Sequence, residues 1–227
     1  MSYGRSYKRK TKRKTKRKGR KRYPLYSMGT PSGIPTIRRA SLRYCDEVLI
    51  TSTGGLLNTN QKFLANGLFD CNVALGGHQP MGFDTWASLY NRYVVLGSKI
   101  RCEVALTDVG NDGGMYAGIF LDDDSSVTYG SLTGLVEARK GNHVTCTNQR
   151  APQYTSSKYS ARAFHNITDI KDNMYTIGAP VTADPTDKAY YVIWGESIKT
   201  AQSNSYTALV IIDYIVEFSE PKDLAQS

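Results

Sequence analysis

The residues that can do chemistry crowd the N-terminus. Arg5, Lys8, Arg9, Lys10, Lys12, Arg13, Lys14, Lys16, Arg17, Lys18, Arg20, Lys21 and Arg22 form a basic tetrad repeated almost three times, KRKT, KRKT, KRKG, closed by RKR. Arg38, Arg39 and Arg43 extend the series, and no Asp or Glu stands among the first 43 residues. The chemistry on offer is phosphate neutralisation: each phosphate met by a cation releases condensed counterions, whatever the base sequence. The segment lacks the apolar surface needed to offset chain entropy, and its charges repel, so it is expected to stay unfolded until it meets a polyanion. The same cluster from Lys8 to Arg22 has the composition of a nuclear-import signal.

The rest of the chain offers little that is reactive. Asp122, Asp123 and Asp124 are a carboxylate run of the kind that binds a hard cation, but their spacing is not that of a calcium loop and three acids at a strand end suit a solvated turn. His78, His143 and His165, the only histidines, fall in no metal or nucleophile motif, and no GxSxG, HExxH, P-loop or GxGxxG pattern occurs. Asn166-Ile167-Thr168 is a glycosylation sequon by pattern alone. The reading is a protein without enzymatic activity, cofactor or metal.

Charge divides the chain in two. Of its 29 basic residues, 16 lie in the first 43, leaving 13 against all 20 acids in residues 44–227, a net charge of −7. A cationic arm precedes a mildly acidic body of a size that fits one domain with one core. No apolar run approaches a membrane span, no apolar residues interleave with the arm's cations, and no secretory pattern follows it, so no membrane insertion is expected. Cys45, Cys71, Cys102 and Cys146 are widely spaced, without CxxC, and read as small buried or half-buried thiols of a reducing compartment.

The elements that must carry these residues are mostly strands. Residues 1–43 are arm and connector, the latter punctuated by Pro24, Gly29, Pro31, Gly33 and Pro35. The body, residues 44–227, opens on YCDEVLITST. Between Gly76 and Tyr93, Asp84 suits a helix N-cap, and Phe83, Trp86, Tyr90 and Tyr93 fall on one helical face that plugs a core. Residues 93–108 alternate with period two, Val94 to Leu106 inward and Lys99 and Arg101 outward. MYAGIFLDDD, HVTCTNQ, KYSARAF and AYYVIWGESI read as further strands, with a loop at Arg150–Ser157, a helical turn near 130–138 and a possible short strand before Ala189. SYTALVIIDYIVEFSEP carries apolar residues on both faces and reads as a strand buried on both sides. About eight strands, long loops and one or two short helices predict an all-β antiparallel sandwich or jelly roll.

Residues 76–106, with GHQPMGFDTWASLYNRYVVLGSKIRCEV at their centre, and the basic arm together resemble the capsid proteins of circovirus-like viruses, whose small circular single-stranded DNA genomes encode a replication initiator. The layout matches over essentially the whole chain; the specific part is residues 76–106 plus the arm, and the Lys/Thr tetrads depart from the more Arg-rich arms of animal circoviruses. The resemblance implies a single viral jelly roll of two packed four-stranded sheets, closing as about 60 copies into a small icosahedral (T=1) shell. It implies arms pointing inward onto viral single-stranded DNA and engaging host nuclear import receptors before assembly, in a protein found in the virion and the host nucleus. A host attachment factor is implied but not identifiable. Two readings of other classes compete: a nucleic-acid-binding β-sandwich of ribosomal or chromatin type, which the acidic body disfavours, and a lectin or enzyme with a nuclear tail.

Overall fold

The computed structural model describes residues 33–74, 77–107, 113–126, 129–138, 141–147, 152–199 and 202–223. The cations from Arg5 to Arg22 therefore lie outside the described residues.

Among the described residues nine strands form two antiparallel sheets. One sheet carries β1 (Ile37–Ser52), β9 (Asn204–Pro221), β3 (Tyr90–Leu106) and β6 (Gln153–Ser160) in that order, with the short β7 (Gly178–Pro180) paired to the start of β3. The other carries β2 (Asn58–Leu64), β8 (Tyr190–Ser197), β4 (Met115–Asp122) and β5 (Asn142–Cys146). The first and last long strands pair along their length, from Ile37 opposite Ser219 to Ser52 opposite Asn204. The chain crosses between the sheets at every connection except β4–β5 and β6–β7, which is a jelly-roll winding.

The core lies between the sheets. β1 buries Leu42, Tyr44, Val48 and Ile50 while Arg39, Ser41, Arg43, Cys45, Glu47 and Leu49 face out, the period-two pattern of a strand covered on one side. Tyrosines supply much of the packing, and their hydroxyls reach backbone carbonyls: Tyr206 donates to Trp194 O (2.8 Å), Tyr214 to Leu64 O (2.7 Å) and Tyr93 to Ala183 O (3.0 Å). A buried ring thus brings no unpaired hydroxyl with it.

A second, smaller core covers the opposite face of the four-stranded sheet. Helix α2 (Leu132–Glu137) lays Leu135 over Phe120, Val192 and Trp194, and Ser131 caps it by accepting from Gly134 N (3.3 Å). β8 is therefore covered on both faces. The outer face of the five-stranded sheet has no such cover among the described residues.

Several expectations change at this level. The body's first strand starts at Ile37, so Arg38, Arg39 and Arg43 belong to β1 and not to a connector. Helix α1 spans Phe83–Leu89, and its N-cap is Gly82 rather than Asp84. Gly82 sits at φ 84°, a conformation cheap only for glycine, so the chain turns into the helix two residues early and Asp84 falls in the first turn. The helix ends at Leu89 because Tyr90 joins the sheet opposite Pro221; Tyr90 and Tyr93 are strand residues. The aromatic plug survives from two elements: Trp86 stacks on Phe218 at 5.5 Å, and Phe83 meets Tyr93 edge-on at 5.6 Å.

ARAF is not strand but helix α3 (Ala161–Phe164), and β6 occupies most of the expected loop at Arg150–Ser157. β9 is not buried on both sides along its length. Leu209 is 38 % exposed and Ile215 55 %, and only from Val216 to Ser219 does burial run unbroken. Cys45, on the outer face of β1, is exposed, whereas Cys71, Cys102 and Cys146 are buried; all four are free thiols.

Candidate nucleic-acid interface

In sequence the basic cluster ends at Arg22, and β1, an edge strand of the five-stranded sheet, begins at Ile37. Strand register sets the outer face of that sheet in rows. Arg43, Asp213, Lys99 and Lys158 form one row; Ser41, Ile215, Gly97 and Ser160 form the next. Beyond them stand Cys45, Ile211, Arg101 and Ser156, and then Glu47, Leu209, Glu103 and Tyr154. The rows grade from cationic near the start of β1 to acidic and apolar further along.

Ion pairs decide which of these charges remain available. Asp213 accepts from Arg43 Nε at 2.6 Å and from Arg101 at 3.3 Å, so one carboxylate answers two guanidinium groups. The hydrogen bond and charge of Asp213 raise the pKa of Arg43 further. Arg39 donates to Glu217 at 2.8 Å. Lys99 and Lys158, directly opposite each other, are both exposed. Like charges in facing positions repel unless an anion lies between them. Arg43, Arg101, Lys99 and Lys158 against Asp213 leave this part of the face net positive.

Beside the lysine pair opens a cavity of about 670 Å³. Its floor is the sheet at Ser41, Gly97 and Ile215, and α3 supplies a wall through Ala163 and Phe164. Gly97 keeps the floor open: a Cβ there would come within 3.1 Å of Tyr159 O on the neighbouring strand. On the far side of the wall, His165 Nε2 lies 3.1 Å from Tyr159 OH, and burial lowers its pKa below the ordinary imidazole value.

The three arginines expected at the interface do not act together. Arg39 and Arg43 share the outer face, each already paired to a carboxylate, while Arg38 falls on the opposite side of β1. Sequence reasoning missed Lys158 and Phe164. Lys158 opens KYSARAF, read from the sequence as a further strand, and only the register with β3 sets it against Lys99. The alternation of residues 93–108 had already placed Lys99 and Arg101 outward.

The remaining candidates resolve into structure. Asp122 accepts from the backbone of Asp123 (3.0 Å) and Asp124 (3.3 Å), and Asp124 accepts from Ser126, which lowers its pKa. That is a turn built by its own side chains, and no cluster of ligating side chains suited to a metal occurs among the described residues. His78 stacks on Tyr44 at 4.6 Å, and His143 packs edge-on to Tyr116 at 6.4 Å. No described helix is long and apolar enough to cross a membrane.

No family model matches the chain, and no curated protein matches it. Solved structures do. One is the Desmodium yellow mottle tymovirus structure, 14 % identical, covering 87 % of this chain and 95 % of that one, at a TM-score of 0.40. Another is the semi-empty virus-like particle of the prawn Macrobrachium rosenbergii nodavirus, 10 % identical over 87 % and 100 %, at 0.48. A third is a T=1 subviral particle of a Penaeus vannamei nodavirus capsid deletion mutant, 11 % identical over 82 % and 98 %, at 0.44. At 10–14 % identity none of them bears on what this chain binds.

Proposed function

We propose that this chain is a viral capsid protein that self-assembles into a small icosahedral shell and packages circular single-stranded DNA through its basic N-terminal arm. The observation that carries the reading is the union of two parts: a jelly roll, and a cation-dense segment, Arg5 to Arg22, with no acid between it and the first strand in sequence. The resemblance of residues 76–106 to circovirus-like capsid proteins supports the nature of the genome and a T=1 shell of about 60 copies. The net negative body supports a division of labour, since a shell domain that bound nucleic acid over its whole surface would be basic throughout.

In this mechanism Arg5, Lys8, Arg9, Lys10, Lys12, Arg13, Lys14, Lys16, Arg17, Lys18, Arg20, Lys21 and Arg22 neutralise phosphates without reading bases. Those from Lys8 onward also present the import signal to host receptors before assembly. Arg39 and Arg43 take phosphate only in competition with Glu217 and Asp213.

Electron microscopy of the purified full-length protein, with absorbance at 260 and 280 nm on the same sample, tests the proposal. Uniform closed particles about 20 nm across containing nucleic acid are expected. A monodisperse monomer under assembly-permissive salt, with DNA added, would overturn it. Deleting residues 1–22 is expected to leave the body folded and to abolish DNA retention at physiological salt; undiminished retention with the same salt slope would show that the arm is not the binding element.

A further inference from the structure

We infer that the cavity between the outer face of the five-stranded sheet and α3 seats one nucleotide of the single-stranded chain, its phosphate between Lys99 and Lys158 and its base against Phe164 and Ile215. The inference rests on the nucleic-acid reading above and gives it a second, body-borne contact distinct from the arm.

Four observations converge on it. The volume of about 670 Å³ lies within the range of small-ligand pockets. Two of its lining residues, Lys99 and Lys158, stand directly opposite each other in register, and like charges so placed repel unless an anion lies between them. The only acid on its rim, Asp213, is already held by Arg43 and Arg101, so it does not cancel the lysines. Its interior combines an aromatic ring and an aliphatic side chain with the hydroxyl-bearing Ser41 and Ser160, which suits a base and sugar better than a bare anion.

Position adds a further argument. Ser41 lies four residues into β1, about 13 Å from its start at the usual ~3.3 Å rise per residue. The basic cluster ends at Arg22, nineteen residues before Ser41, so the two contacts lie close together along the chain. The lysine pair holds the backbone without regard to sequence, and stacking accepts any base, so the site would take every nucleotide of a genome alike.

Photocrosslinking tests the inference on the full-length protein. An oligodeoxythymidine substituted with 5-iododeoxyuridine is bound, irradiated, and the attached peptides are mapped. Two regions are expected to carry crosslinks: residues 1–22, and the stretch from Tyr159 to Phe164. In Lys99→Ala/Lys158→Ala the second set is expected to fall at least five-fold while the first is unchanged. The slope of log affinity against log salt should shrink by about 0.7, one phosphate's worth on a single strand. Both lysines are exposed, so their truncation disturbs no core. Crosslinks confined to the arm, or cavity crosslinks indifferent to the double substitution, would overturn the inference and leave the arm intact as a binder. Absence of crosslinks from both regions would overturn the nucleic-acid reading itself.

Discussion

Cys71 and Cys102 carry thiols that burial pushes up to about 12, and Cys146 one pushed up to about 11, while Cys45 stands exposed one residue from the start of the sequence-predicted body. A buried thiol that stays protonated is a poor nucleophile. An alkylating reagent at pH 8 is therefore expected to label Cys45 alone in the native protein and all four in urea, read by mass spectrometry. Fast native labelling of Cys102 would contradict its place in the core. The raised values also set a pH dependence. The folded chain holds these thiol protons longer than the unfolded chain, whose thiols ionise near 9. Their contribution to stability is whole below about pH 9 and is lost as pH climbs from there toward 12. Urea midpoints are expected to be level from pH 7 to 8 and to fall steadily above pH 9. At this scale sequence composition identified the thiols as small core residues but missed Cys45, because the side a strand residue faces depends on which face of its sheet is covered.

At the scale of elements, β9 is the strand on which the larger sheet is hung, paired with β1 on one side and β3 on the other. Val210, fully buried, faces the core between the sheets. Val210→Asp places an unpaired charge there at a cost on the order of 5 kcal/mol, enough to prevent folding of a marginally stable domain. The expected result is insoluble protein; a soluble, cooperatively unfolding variant would mean the strand faces the other way. Gly195 in β8 makes a subtler point. A Cβ there would lie 2.5 Å from the ring of Tyr206, which cannot easily retreat because its hydroxyl is held by Trp194 O. Gly195→Ala is expected to cost about 1–3 kcal/mol as overpacking, measurable as a lower urea midpoint. The helix–strand junction at Leu89–Tyr90 shows where periodicity misleads. The aromatic spacing from Phe83 to Tyr93 fits a helix, yet Tyr90 turns extended and joins the sheet, where Lys222 N–H donates to Leu89 O at 2.8 Å.

The whole molecule is an asymmetric sandwich. Helix α2 and its small core close the outer face of the four-stranded sheet, whereas the corresponding face of the five-stranded sheet has α3 beside β3 and β6 and no second core among the described residues. On the proposed function, the basic segment binds nucleic acid and the body folds without it. Removal of residues 1–22 is expected to leave the thermal midpoint of DNA-free protein within about 2 °C of full length, a small change for a domain of this size. A fall of 10 °C would show that the arm is part of the folded structure.

Residue types and their order determined the cationic arm, the acidic body, the all-β class and most strand positions, since charge density and period-two alternation are local properties of the chain. The alternation of residues 93–108 even oriented Lys99 and Arg101 correctly. Tertiary structure alone decided the rest. Which face of β9 is buried depends on which side of its sheet packs against the four-stranded sheet. That Arg43 is paired while Lys99 faces another lysine depends on registers between residues 170 apart in the first case and 59 in the second. A cavity exists beside Lys158 because α3 folds back over a glycine in β3, a meeting that no local pattern encodes.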